Sequence, residues 1–221
     1  MSIYQIPIKQ KRSIFERMNL TTKIMIINIL CFIIFVFVDS VTKINFIQNY
    51  IAVSLENIQN LRLWTFLSSM FMHGGIFHLF VNMLSLFFIG NLLEKILGKK
   101  RYLWFYLLSG IFAGGLFVLA GLIEGSLPAV GASGALFGLI GLLMILTPNL
   151  PVYMMFIPIP IKMKYAAPGM LVLLWIISIV GKIGIGNFAH LGGFIVGIIY
   201  GLYLRKKFPN KIKHLGKYFG G

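Results

Sequence analysis

A chain of 221 residues with 58% hydrophobic residues, 11% charged residues and a mean hydropathy of +0.90 is not a soluble globular domain, which would carry about a quarter charged residues. Its formal charge of +15 would suit nucleic acid, but the basic residues sit at the ends of apolar stretches, where they set membrane orientation, so no nucleic-acid partner is expected. The single Cys31 excludes an internal disulfide and leaves the redox compartment unread.

The chain opens on a polar, basic tail over 1–23, followed by an apolar stretch at about 24–38, IMIINILCFIIFVFV. The tail is long and no small-x-small cleavage pattern follows, so the stretch is read as a retained helix, not a signal peptide. Residues 39–75 form a long first loop, expected on the outer side. Within it LRLWTFLSSMFMHGG mixes polar and apolar residues in a way that suits the membrane interface. Further apolar stretches follow at about 76–93, 103–123, 134–147, 166–181 and 188–204. Between the fourth and fifth, PNLPVYMMFIPIPIKMKY cannot be one straight helix, because Pro151, Pro158 and Pro160 interrupt it. A second basic tail occupies 205–221.

Several of these stretches fall short of the ~20 residues that span ~30 Å of hydrocarbon, and flanking residues must extend them. The expectation is an all-α integral membrane protein, one six-transmembrane-helix domain over 24–204. Lys and Arg fix its orientation. Seventeen of the twenty lie in the two tails and in the connections around Lys95–Arg101 and Lys162–Lys164, all on one side; only Lys43, Arg62 and Lys182 lie on the other. That bias places both termini in the cytoplasm. With a small chain and few extra domains, a prokaryotic cell membrane is the expected location. No inverted repeat of the kind many transporters carry is visible.

Polar groups at membrane depth are costly and so mark functional candidates. His78 and Asn82, in H-L-F-V-N, share one helix face a turn apart. Two neutral donors there suit a developing oxyanion; taken alone, the pair reads more readily as polar groups holding helices together. His190 begins a stretch in which Gly193, Gly197 and Gly201 recur every four residues, the spacing that lets a second helix pack closely. Ser133 lies in V-G-A-S-G-A-L-F-G, where Gly134, Gly138 and Gly141 make a matching small face. If those faces meet, Ser133 and His190 arrive at one depth. A serine becomes nucleophilic when a base takes its proton, and the N–H groups at a helix start point at a substrate oxygen. No carboxylate is placed to complete a triad, so the expected site is a Ser–His dyad. Phe137, one turn beyond Ser133, is the candidate ring to stack on the imidazole.

These motifs, G-A-S-G-A-L-F-G at 131–138, A-H-L-G-G-F-I-V-G at 189–197 and H-G-G-I-F-H-L-F-V-N-M at 73–83, with their order and the six-span pattern over roughly 20–206, resemble the rhomboid family of intramembrane serine proteases. The resemblance implies Ser133 as nucleophile, His190 as general base, and an oxyanion hole of His78, Asn82 and the Ser133 backbone N–H. It implies structural parts for His73 and Glu94. It further implies transmembrane segments of other membrane proteins as substrates, cut near the outer leaflet, with no metal and no cofactor. One departure stands out. The family often has Trp-Arg in the first loop; Trp64 fits, but Thr65 replaces the arginine, with Arg62 near enough to compensate. An H-E-x-x-H metalloprotease is excluded, since no Glu follows His73 or His78. An aspartyl type needs two aspartates and the chain has one. The remaining alternative is a non-catalytic rhomboid-like protein that binds or routes transmembrane clients. Oligomeric state is not readable.

Overall fold

The computed structural model describes residues 14–125, 127–153 and 158–219, so most of the N-terminal basic tail read from the sequence lies outside the described residues. Its main helices are α1 (Leu20–Thr42), α2 (Ile76–Leu97), α3 (Lys99–Glu124), α4 (Ser133–Leu146), α5 (Met163–Gly181), α6 (Asn187–Lys207) and α7 (Pro209–Tyr218). Five of them (α1, α2, α3, α5 and α6) are long and apolar enough to cross a membrane. The helix in the fourth apolar stretch, α4, has only 14 residues. The fold is that of a helical, multi-pass integral membrane protein.

The ends of these helices follow from local chemistry. Asn19 caps α1 by accepting the Thr22 N–H at 2.7 Å. Glu94, buried on α2, then accepts the N–H groups of Leu20 and Thr21 and the Thr21 hydroxyl at 2.7–2.8 Å. One carboxylate thus satisfies donors that the first turn leaves without helical partners, and it ties a peripheral helix to the bundle. Gly98, at φ +77°, makes the sharp turn from α2 into α3.

The core is α4. Eleven of its fourteen residues are buried, as expected of a helix that is apolar all round. Helix α6 runs parallel to it, Gly193 beside Gly134 and Gly138, Gly197 beside Gly138 and Gly141, Gly201 beside Ile145. Helix α3 runs antiparallel and closes the other side, with Ala113 against Gly134 and Ser109 against Gly138. Here the backbones themselves touch. A Cβ on Gly193 would run into the Gly134 carbonyl, one on Gly197 into the Gly138 carbonyl, and one on Gly141 would sit 2.5 Å from the Phe194 carbonyl oxygen. In lipid no hydrophobic force drives helices together, so this close packing supplies the association.

Two regions differ from the sequence expectation. The fold is not wholly α. The proline-rich connection forms a short antiparallel strand pair, Pro151–Tyr153 with Pro160–Lys162, because prolines that cannot continue a helix are tolerated at strand ends. The C-terminal basic tail has secondary structure that the sequence reading did not assign. It folds as α7, started by Pro209 in its first turn, with Ile212 packed against the core.

The glycine contacts give a paired prediction. Gly197→Ala forces backbone apart and should lower the unfolding temperature in detergent strongly, by the 1–3 kcal/mol typical of overpacking. Gly115→Ala on α3, where a Cβ meets nothing within 4 Å, should be neutral or slightly stabilising. Equal behaviour of the two variants in a thermal melt would contradict the packing account.

Candidate active site

The parallel packing of α4 and α6 determines which polar groups meet. Ser133 is the first residue of α4, and His190 lies in the first turn of α6. Ser133 Oγ and His190 Nε2 are 2.8 Å apart. The imidazole is buried and stacks on the Phe137 ring, centroids 4.6 Å apart at 27°. His190 Nδ1 has no hydrogen-bond partner among the described residues, so the orienting carboxylate of a triad has no counterpart. Packing against Phe137 holds the ring instead.

The turn before Ser133 is held from the first loop. Val53 and Ala129 exchange backbone hydrogen bonds at 3.0 and 2.9 Å, and the Gly131 N–H donates to the Ser69 carbonyl at 2.9 Å. Gly131 sits at φ +135°, which only glycine adopts without strain. Its missing side chain also makes room. A Cβ there would lie 3.0 Å from His78 Nε2 and 3.6 Å from Ser133 Oγ. The space beside the serine is therefore bounded by the imidazole of α2.

The tautomer of His78 follows from its other nitrogen. Nδ1 accepts the Gly74 N–H at 3.2 Å, so the neutral ring carries its proton on Nε2, the atom beside Gly131 and Ser133. Asn82, one turn further along α2 and buried, donates one amide hydrogen to the His78 carbonyl at 2.8 Å, while its Oδ1 finds no partner among the described residues. One amide hydrogen remains to it. The Ser133 N–H, at the start of α4, has no acceptor among the described residues, as a first-turn donor should.

His73 has a different part. Fully buried before α2, it meets His78 edge-on at 5.2 Å between centroids. Its Nε2 accepts the Ala132 N–H at 3.5 Å. Burial, with the His78 ring as a second cause, pushes its pKa down to about 3, so it stays a neutral acceptor beneath the Ser133 turn. Glu94 is likewise structural, as the cap of α1. Arg62, beside Trp64 and Thr65, is tied into the first loop. Arg62 Nη1 donates to the Asn49 carbonyl at 2.6 Å and to Asn57 Oδ1 at 2.8 Å, and its guanidinium covers the Tyr50 ring at 4.7 Å. Trp64 Nε1 donates to the Tyr50 carbonyl at 2.8 Å. Thr65 is buried, its hydroxyl on the Arg62 carbonyl. Asn57, which also donates to the Gln48 and Ala52 carbonyls, is the hub of this loop. Nothing in the pattern LENIQN singled it out.

A serine–histidine pair with a buried imidazole, at the start of two glycine-packed helices, defines a narrow class of membrane protein. Residues 60–207 match the family model of the Rhomboid domain; the chain belongs to the rhomboid family. Among its relatives, RHOMBOID-like protein 1 of Arabidopsis thaliana is 42% identical over 62% of this chain and 33% of its own length. Inactive RHOMBOID-like protein 8 of the same plant is 35% identical over 73% of this chain and 44% of its own. Rhomboid protein 1, mitochondrial, of Saccharomyces cerevisiae is 33% identical over 73% and 47%. The match thus spans a third to a half of these relatives' lengths.

His73 carries a pH prediction. Its pKa is lowered in the folded state, so between about 6.5 and about 3 the unfolded chain binds the extra proton. Its contribution to stability is complete above about 6.5 and is lost as the pH falls through that window. The unfolding temperature in detergent should therefore drop from pH 7.5 to pH 4.5, and drop less in His73→Gln. An equal drop in both would remove His73 from the account.

Proposed function

We propose that this protein is an intramembrane serine endopeptidase that cleaves transmembrane segments of other membrane proteins with a Ser133–His190 dyad. The carrying observation is the 2.8 Å approach of Ser133 Oγ to His190 Nε2, made by two helices whose backbones touch. With its proton on Nδ1, His190 accepts the serine proton at Nε2 as Oγ attacks the peptide carbonyl. The oxyanion takes hydrogen bonds from the Ser133 N–H, from His78 Nε2–H and from the free amide hydrogen of Asn82. Collapse expels the amine, which takes the proton from His190. Water then attacks the acyl-enzyme along the same path and restores Ser133.

Depth supports a substrate inside the bilayer. At 1.5 Å per residue α4 is about 21 Å long, against ~30 Å of hydrocarbon. A helix that short leaves its first residue below the membrane surface, and the irregular backbone before it is tolerated where it lines a polar cavity. Counting α4 with the five longer helices gives six spans, and the bias of Lys and Arg then puts both termini in the cytoplasm with Ser133 near the outer leaflet. The domain boundaries follow: a cytoplasmic tail over 1–23, the membrane domain over 24–204 and a cytoplasmic segment over 205–221. The relatives named above include a plant and a mitochondrial protein and lend no support to a prokaryotic membrane in particular.

A second reading, a non-catalytic rhomboid-like protein that binds transmembrane clients, gains weight from a relative named inactive. The two part at one substitution. Purified in detergent with a transmembrane model substrate, the wild type should cleave, and Ser133→Ala and His190→Ala should not. A fluorophosphonate probe should label the wild type alone. Cleavage by wild type no faster than by Ser133→Ala would favour the second reading. Asn82→Ala should lower kcat by about a hundredfold, the cost of one oxyanion donor, with little change in unfolding temperature. Large destabilisation with normal turnover would assign Asn82 to packing instead.

A further inference from the structure

The end of the bundle away from Ser133 carries an unusual gathering of charge. Every acidic residue of the chain lies at or before Glu124. Beyond it, Arg205, Lys206 and Lys207 close α6, and Lys211, Lys213 and Lys217 are exposed on α7. Three cations from three elements crowd one ring. Arg101 of α3, Lys207 of α6 and Lys211 of α7 stand 5.6, 5.8 and 5.7 Å from the centroid of Phe208. No carboxylate among the described residues pairs with them. Like charges this close repel, and an anion beside them would offset that cost.

On the other flank of α7 lies a cavity of about 370 Å³. Its walls are apolar, from Ile145, Leu146 and Pro148 at the end of α4 and from Ile212 of α7, while Arg205 and Lys213 stand at it, and none of its lining residues is acidic. Gly216 also lines it, and a Cβ there would meet nothing within 4 Å. Apolar walls with two cations match one chemistry, an acyl chain joined to a phosphate. A basic pocket between membrane helices near their ends is a recognised form of lipid headgroup site, and an amphipathic helix with a lysine face belongs at the membrane surface. We propose that α7 and the ends of α4 and α6 form a binding site for an anionic glycerophospholipid, its phosphate on Arg205 and Lys213 and part of an acyl chain in the cavity.

The test uses the full chain in a neutral detergent, titrated with phosphatidylglycerol, with phosphatidylcholine of the same acyl chains, and with inorganic phosphate. Lipid adducts are counted by native mass spectrometry and the unfolding temperature is followed. Phosphatidylglycerol should form a discrete one-lipid adduct and raise the unfolding temperature; phosphatidylcholine and phosphate should do neither. Arg205→Gln with Lys213→Gln should weaken the phosphatidylglycerol response by roughly tenfold or more. Lys206→Gln with Lys217→Gln, the same loss of charge off the cavity, should leave it intact. Gly216→Leu fills the cavity and keeps every cation; it should also lose the adduct, and it decides the matter if the arginine–lysine pair fails to fold. Equal weakening by the two double variants would mean general surface attraction and overturn the site. So would an adduct that survives Gly216→Leu, an equal response to phosphatidylcholine, or a phosphate response as large as the lipid's.

Discussion

The contact of α4 with α6 is backbone on backbone, and the rest of the molecule is arranged around it. Gly193 and Gly197 leave no room for even a methyl against the carbonyls of Gly134 and Gly138. Close approach fixes the relative depth of the two helices as well as their separation. Ser133 and His190 sit at the first turns of these helices, so their 2.8 Å separation follows from packing several turns along. Helix α3 completes the same unit through Ser109 and Ala113. The less buried α1 and α5 stand outside it, and α1 is held chiefly by a carboxylate at its N-terminus.

An imidazole without a carboxylate partner needs another source of orientation. Here the imidazole is confined by a ring stacked on one face and the serine at Nε2, with Nδ1 left without an acceptor. Around it, the neutral histidines divide the work by tautomer. His78 accepts from Gly74 and so keeps its proton on Nε2, beside Gly131; His73 accepts from Ala132 and so supports the turn. The three imidazoles thus differ by partner: backbone N–H groups for His73 and His78, the Ser133 hydroxyl for His190.

Much of this was legible in the sequence, for a physical reason. Six apolar stretches, four-residue glycine spacing and rare polar groups at depth are periodic or costly signals, and each of the six stretches became a helix. The glycine faces predicted the α4–α6 contact, and Phe137 one turn past Ser133 predicted the stack. What the pattern did not carry was local. The strand pair at Pro151 and Pro160 depends on two prolines sharing an edge, which spacing cannot express. Helix α7 was hidden because a basic, weakly apolar run reads as a tail until Phe208 and Ile212 find a surface. The Arg62–Asn57–Tyr50 network was half visible: the arginine could be noticed, but its partners are carbonyls, and every residue has one of those.

The parallel course of α4 and α6 has a further electrostatic effect. Peptide dipoles aligned along a helix amount to roughly +0.5 of a charge at its N-terminus. Two such ends meet at Ser133 and His190. Their partial positive charges add at that point. A negative charge placed beside Ser133 meets a favourable field already in place. At the opposite ends the negative poles are matched by Arg205, Lys206 and Lys207 in the last turn of α6. The same alignment that brings two side chains together therefore polarises the bundle along its helix axes.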